Sequence, residues 1–298
     1  MSYAFADLPQ APLQPLSLPW LEHAGVQLAV LRLDLIDPLI SGNKGFKLRH
    51  HLRDAHAMGA PGLISLGGNH SNHLHALAAA GKRFGFATAG LLRGHPQDNA
   101  TVRDLQAFGM ELHWLGYGGY RERHQVGFWT PWLARYPGWY CIPEGGGGLA
   151  GAEGCRLIVE QARAQLPMLG WTDYHGWWLA VGTGTTLAGL VMAEQGRRGV
   201  HGALAVPPGH GVEENLSALV QGGYELHGAC RGGFARIDDE LLAFIDQSER
   251  ESGLPLEAVY TGKALLALRD QVVAGRFARG TRLIFLHTGG LQGRRGYL

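Results

Sequence analysis

Lysine is scarce in this chain: it occurs at positions 44, 47, 82 and 263, and arginine supplies the other 22 of the 26 basic residues. Arginine serves wherever charge alone is needed, but condensation with an aldehyde requires an amine that can lose its proton, which a guanidinium cannot do in a protein. Two of the four lysines sit together in Ser41-Gly42-Asn43-Lys44-Gly45-Phe46-Lys47. Gly42 and Asn43 are turn formers, and Phe46, Leu48 and Leu52 follow with helical spacing, which predicts a helix opening close to Lys44. A helix N-terminus and a neighbouring ammonium both lower an amine's pKa, and a partly neutral lysine is the nucleophile a Schiff base needs. On its own the heptapeptide fits a solvated basic turn better.

Two other stretches have the composition of anion sites. Gly182-Thr183-Gly184-Thr185-Thr186 follows the apolar run ending at Val181 and leads into Leu187 to Met192. A strand, a Gly/Thr turn and a helix start gather backbone N–H groups and hydroxyls around one point, where the helix dipole favours a phosphate. The stretch lacks the GK[ST] ending of a nucleotide loop and the third glycine of a dinucleotide fingerprint, so a nucleotide enzyme is the weaker alternative. Gly67-Gly68-Asn69-His70-Ser71-Asn72 repeats the pattern after Gly62 to Leu66, with N–H groups suited to a carboxylate and a hydroxyl at Ser71. Two anion cups and an isolated lysine match an amino acid joined to a phosphorylated aldehyde. No metal site is expected: at about 100° per residue His70 and His73 share a helix face but His75 does not.

These turns need strands to end at them and helices to start from them. Candidate strands are Val26 to Leu33, Gly62 to Leu66, Ala87 to Leu92, Glu111 to Leu115, Trp139 to Ile142, Trp177 to Val181, Ala203 to Val206 and Arg282 to His287. Helical length and periodicity mark 46–58, 72–84, 101–108, 151–165, 185–195, 238–247 and 262–274. Such alternation predicts an α/β protein with parallel or mostly parallel sheets flanked by helices; a closed eight-stranded barrel is the minority alternative.

At 298 residues and 46% hydrophobic, the chain is large enough for two compact lobes with a cleft between them. With 26 basic and 25 acidic residues and no run of either sign, neither nucleic acid nor a membrane is an expected partner. A small molecule is. No apolar run approaches the ~20 residues that cross a bilayer, and no charged, apolar leader opens the chain. Cys141, Cys155 and Cys230 form neither an even disulfide set nor a CxxC pair. These features predict a cytoplasmic location.

The ordered motifs then show a resemblance. Gly42-Asn43-Lys44-Gly45-Phe46-Lys47-Leu48, Gly67 to His73, Ile142-Pro143-Glu144-Gly145-Gly146, Gly182 to Thr186, Val259-Tyr260-Thr261-Gly262-Lys263 and His287-Thr288-Gly289-Gly290 resemble the 1-aminocyclopropane-1-carboxylate deaminase and D-cysteine desulfhydrase family. The resemblance implies a two-lobed tryptophan-synthase-β-like fold: 1–50 with 143–298 as a larger cofactor lobe and 51–142 as a smaller inserted one. It implies pyridoxal 5′-phosphate held by Lys44 as a Schiff base and a homodimer. Lys47 and the cup of Gly182, Thr183, Gly184, Thr185 and Thr186 would hold the phosphate, Asn72 the ring hydroxyl, and Thr261 or Thr288 would face the pyridine nitrogen. Asn69, His70, Ser71 and His73 would bind the substrate, with Lys44, Ser71 and Tyr260 catalytic.

The deaminase branch resembles Tyr-Glu-Gly-Lys where this chain has Tyr260-Thr261-Gly262-Lys263; the desulfhydrase branch has the threonine. A carboxylate beside the pyridine nitrogen strengthens the electron sink, and a neutral hydroxyl does not. The expected reaction is therefore β-elimination from a small amino acid, giving a 2-oxo acid and ammonia. Deamination of the cyclopropane substrate and a noncatalytic binding protein are the alternatives.

Overall fold

The computed structural model describes residues 8–296. The first half of the chain runs through β1 (Leu13–Leu16), α1 (Pro19–Ala24), β2 (Gln27–Arg32), α2 (Asn43–Ala57), β3 (Gly62–Gly67), α3 (Asn72–Phe84), β4 (Ala87–Leu92) and α4 (Ala100–Ala107). Next come β5 (Glu111–Trp114), α5 (Gly116–Arg121), α6 (Thr130–Arg135), β6 (Tyr140–Cys141), α7 (Gly148–Cys155), α8 (Leu157–Arg163), β7 (Gly176–Val181) and α9 (Thr185–Glu194). The chain closes with β8 (Gly199–Leu204), α10 (Val212–Ser217), β9 (Glu225–Gly228), α11 (Asp239–Ser252), α12 (Thr261–Val273) and β10 (Arg282–His287).

The strands form two open sheets, not a barrel. One has the order β1-β2-β10-β7-β8-β9 and the other β5-β4-β3-β6. Every pairing is parallel except that of β1 with β2. Strands β3 and β7 are buried along their whole length because helices cover both faces, which is why each reads as a continuous apolar run. Residues 1–7 and 297–298, the extremes of the expected larger lobe, lie outside the described residues. No helix among the described residues is long and apolar enough to cross a membrane, and all three cysteines are free.

Alternate residues of each strand feed opposite cores. On the six-stranded sheet, Trp177, Leu179 and Val181 pack with Ala152, Cys155, Leu187 and Leu190 on one side, while Trp178 and Ala180 pack with Leu265 and Leu268 on the other. Helix α2 joins the two sheets: Phe46 belongs to the first of these cores, whereas Leu48, Leu52 and Ala55 enter the core of the four-stranded sheet with Leu74 and Leu77.

Helix α7 lies between α2 and α9, and small residues let it approach both. A Cβ on Gly154 would sit 2.1 Å from the Phe46 carbonyl oxygen, and one on Gly189 would sit 2.4 Å from the Ala152 carbonyl oxygen. The single helix expected over 151–165 is two, α7 and α8, parted at Arg156.

Two strands escaped the sequence reading, and both are edges. Strand β1 contains Pro15, tolerable because an edge strand need not donate every N–H; β9 reads Glu-Leu-His-Gly and carries too little apolar patterning.

At the far end of α9, the buried Glu194 carboxylate accepts from Trp177 Nε1 at 2.8 Å, from Arg163 Nη2 at 2.6 Å and from the Tyr174 hydroxyl. This knot fixes α9 against β7 and α8, and with it the turn at the helix start. Glu194→Ala leaves two buried donors, Trp177 and Tyr174, and the half-exposed Arg163 without their acceptor and is expected to cost about 3 kcal/mol. Thermal unfolding checks this: the melting temperature should fall by several degrees, whereas an unchanged value would show that the knot contributes nothing.

Candidate active site

Helix α2 begins at Asn43, so Lys44 is its second residue. The turn before it requires glycine: Gly42 has φ 67°, and a Cβ there would lie 2.0 Å from the Thr288 carbonyl oxygen. That same carbonyl accepts the Asn43 N–H at 3.2 Å, tying the start of α2 to the end of β10. The Lys44 amine donates to Asn43 Oδ1 at 2.7 Å, and Asn43 Nδ2 donates to Thr186 Oγ1 at 2.8 Å. One turn along, Lys47 Nζ donates to the Gly145 carbonyl at 3.1 Å and to Thr183 Oγ1 at 3.5 Å. Lys47 thus reaches the Gly182–Thr186 bend directly, and Lys44 is linked to it through Asn43.

Their surroundings set their acidity. Burial, then the charge of Lys47, lowers the Lys44 amine to about 7. Burial lowers Lys47 to about 8. The larger cause at Lys44 is therefore desolvation, where the sequence suggested the helix start and the neighbouring charge.

The bend itself lies between β7 and α9. Gly184 takes φ 84°, with Leu216 packed where a Cβ would go. Thr183 and Thr185 hydroxyls stand 3.2 Å apart, and Asn215 Nδ2 reaches the Thr183 carbonyl at 3.4 Å. The first turn of α9 presents N–H groups with no partner inside the helix. A cavity of about 210 Å³ opens beside it, lined by Thr183, Thr185, Glu144, Arg123 and Asn215 among others. Tyr260, which precedes α12, lies against the start of the bend: a Cβ on Gly182 would be 3.2 Å from its Cε1. Burial raises the pKa of its hydroxyl, so it stays protonated.

The second cup lies between β3 and α3. Ser71 caps α3, its Oγ accepting the Leu74 N–H at 3.2 Å, which leaves the hydroxyl proton free to donate. Asn72 meets the segment after β10: its Oδ1 accepts from Gln292 Nε2 at 3.0 Å, and its amide fills the space where Gly290 would carry a Cβ. The Asn69 amide bonds Gln97, and His70 is exposed. His73 is buried with Nε2 2.8 Å from Ser65 Oγ and Nδ1 without a partner. Burial, then Lys44 and Lys47, pushes its pKa well below the usual value, so the ring is neutral behind the lysine pair.

The two candidate threonines differ. Thr261 Oγ1 is held by the buried Glu257, 2.9 Å from its N–H and 3.2 Å from its Oε1. No hydrogen bond among the described residues engages the Thr288 hydroxyl.

Several residues here were not singled out from sequence. Glu257 accepts the N–H groups of Val259, Tyr260 and Thr261 at 2.8, 2.8 and 2.6 Å, anchoring α12; burial pushes its pKa up against those bonds. His287 Nδ1 lies 3.1 Å from Asp34 Oδ1, and Arg32 grips Asp34 at 2.9 and 2.6 Å. Burial raises the Asp34 carboxyl, but Arg32 and His287 outweigh it and hold the group well below the carboxylate range. The neighbouring charges of Arg32 and Asp34 were the visible signal, but the His287 partner lies some 250 positions away.

A poised amine at one end and a hydroxyl-rich helix start at the other fit a group that carries an aldehyde and a phosphate. The partnerless buried Nδ1 of His73 and the absence of any carboxylate against the amines, among the described residues, are consistent with an anionic occupant.

The chain covers 98% of its own length and 79% of the relative's in matching the mitochondrial bifunctional D-cysteine desulfhydrase/1-aminocyclopropane-1-carboxylate deaminase of Arabidopsis thaliana, at 27% identity. It is 26% identical to the D-cysteine desulfhydrase of Yersinia enterocolitica over 90% of this chain and 88% of that one. A crystal structure described as an ACC deaminase homologue superposes with a TM-score of 0.85 at 26% identity, covering 97% and 92% of the two chains. The family model described as pyridoxal-phosphate dependent enzyme matches residues 7–289. A lysine amine lowered to about 7 beside a glycine–threonine bend suited to a phosphate is what that cofactor asks of a protein, and the chain belongs to the pyridoxal-phosphate-dependent enzyme family.

Proposed function

We propose that this enzyme removes a β-substituent from a small amino acid and releases a 2-oxo acid and ammonia, in the manner of a D-cysteine desulfhydrase. The observation that carries the reading is the Lys44 amine, half-neutral near pH 7 and linked through Asn43 alone to Thr186 of the phosphate bend. Lys44 would hold the cofactor's aldehyde carbon. Lys47, Thr183, Thr185 and Thr186 would hold the phosphate with the first-turn N–H groups of α9. Tyr260 would cover the ring, Asn72 would reach its hydroxyl and Thr288 its nitrogen. When bound, pyridoxal phosphate supplies an electron sink for the substrate's Cα.

The substrate carboxylate settles on the turn Asn69 to Asn72, where the α3 start offers N–H groups and Ser71 a hydroxyl proton. His70 and His73 stand outside this contact, the first exposed and the second turned to Ser65. The Lys44 amine would take the proton from the substrate's Cα. Its lowered pKa makes it a base at neutral pH instead of a spectator ammonium. For cysteine the balance is one water consumed, with hydrogen sulfide, pyruvate and ammonia released.

Elimination is favoured over ring opening because the nearby carboxylates are committed elsewhere. Glu257 faces the N–H groups of α12, and Glu144 is bound by Arg123 Nε at 2.7 Å and by the Tyr120 hydroxyl. A neutral threonine at the ring nitrogen makes a weaker sink, sufficient for a good leaving group such as thiolate.

Four outcomes follow. Lys44→Ala should abolish both the yellow absorbance and 2-oxo acid release; an adduct still reducible by borohydride in that variant would move the role to Lys47. The rate at which apoenzyme takes up pyridoxal phosphate should climb about tenfold per pH unit below 7 and flatten above it, because only the neutral amine attacks. Lys47→Ala should move that break upward, since the neighbouring charge is the second cause of the lowering. Across D-cysteine, L-cysteine, D-serine, β-chloro-alanine and 1-aminocyclopropane-1-carboxylate, D-cysteine should release 2-oxo acid fastest, and preference for the cyclopropane would reverse the assignment.

A further inference from the structure

On the side of the six-stranded sheet opposite α9, three metal-ligating side chains converge. His201 on β8 and Glu225 on β9 are register partners, and His227 lies two residues on, so all three project from one face. His201 Nδ1 is 3.3 Å from His227 Nε2 and 3.3 Å from Glu225 Oε2, and His227 Nε2 is 3.9 Å from that carboxylate oxygen. A tetrahedral ion with ligand bonds of about 2.0–2.1 Å sets its donor atoms about 3.3–3.4 Å apart. Two of the three separations already have this value.

We propose that His201, Glu225 and His227 bind a divalent transition ion of the zinc class, with water at the remaining position. Two imidazoles and one carboxylate select such an ion over magnesium or calcium, which take oxygen ligands. The site is built to stay in place: the His227 ring stacks on Trp178 with centroids 4.7 Å apart, and His201 stacks on the same indole at 5.8 Å. It is open enough to load, because the Glu225 side chain is 44% exposed while the histidines are 16% and 8% exposed.

The charged neighbour is Arg276, just beyond α12, which grips both Glu225 oxygens. It holds the carboxylate when no metal is bound and opposes the ion when one arrives. The consequence is structural: β9 is the outer strand of the sheet, and a bound ion clasps it to β8. The site lies behind the sheet from the phosphate bend, so its occupancy is separable from the chemistry proposed for Lys44.

Untagged holoenzyme, stripped with chelator, is titrated with zinc sulfate and with magnesium chloride by calorimetry. One zinc per chain and no magnesium is expected, with a rise in melting temperature that scales with free zinc. Glu225→Gln or His227→Ala should weaken binding about tenfold or more, and Arg276→Gln should tighten it. Glu225 is exposed, so its variant folds even where a histidine variant does not. Cys141→Ser/Cys230→Ser should bind as the parent does. Zinc binding undiminished in Glu225→Gln and His227→Ala, or lost only in the cysteine variant, would overturn the site.

Discussion

An ammonium removed from water without a carboxylate beside it is unfavourable, and a lysine so placed gives up its proton. The architecture around Lys44 is arranged to impose that condition. The side chains and carbonyls meeting Lys44 and Lys47 are neutral, namely Asn43 Oδ1, the Gly145 carbonyl and Thr183 Oγ1. Glu257 acts on Lys44 only through space, its oxygens facing backbone amides. The glycine contacts of α7 belong to the same constraint: without the close approaches at Gly154 and Gly189, α2 and α9 would stand too far apart for Lys47 to reach Thr183.

Two such amines, with the starts of α3 and α9, concentrate positive potential in one cleft. His73 sits behind the pair, where burial depresses its pKa and the repulsion of Lys44 and Lys47 adds to that effect. A phosphate at one end and a carboxylate at the other would balance the charge that the protein leaves uncompensated.

Much of this was legible in the sequence because the chemistry coincides with local signals. The scarcity of lysine, the glycine turns at strand ends and the apolar runs of β3, β7 and β10 are each contained within a few residues. What escaped needed distance or edges. Nothing near Gly154 announces that its neighbour is the Phe46 carbonyl, and Glu257 precedes by only four residues the threonine it holds yet looks like a solvated charge. The lysine's acidity was foreseen in direction and in its lesser cause, the neighbouring charge of Lys47, but not in its larger one, since burial is a tertiary property. The His201–Glu225–His227 cluster was hidden for the same reason: its members come from two strands, one of which carries no recognisable strand pattern.

Competition for hydrogen bonds separates two residues that the sequence left equal. Thr261 lies at the head of α12, where Glu257 needs a donor and offers an N–H in return, so its hydroxyl is engaged from both sides. Thr288 lies at the end of β10, where its own carbonyl is taken by Asn43 and the preceding His287 is locked by Asp34 and by the Pro255 carbonyl at 2.7 Å. Its backbone is therefore fixed beside the lysine turn while its hydroxyl stays free. A donor whose position is set by its neighbours and whose own bond is unmade would serve the ring nitrogen of the proposed cofactor without loss, whereas one already satisfied would have to break a buried contact to do so.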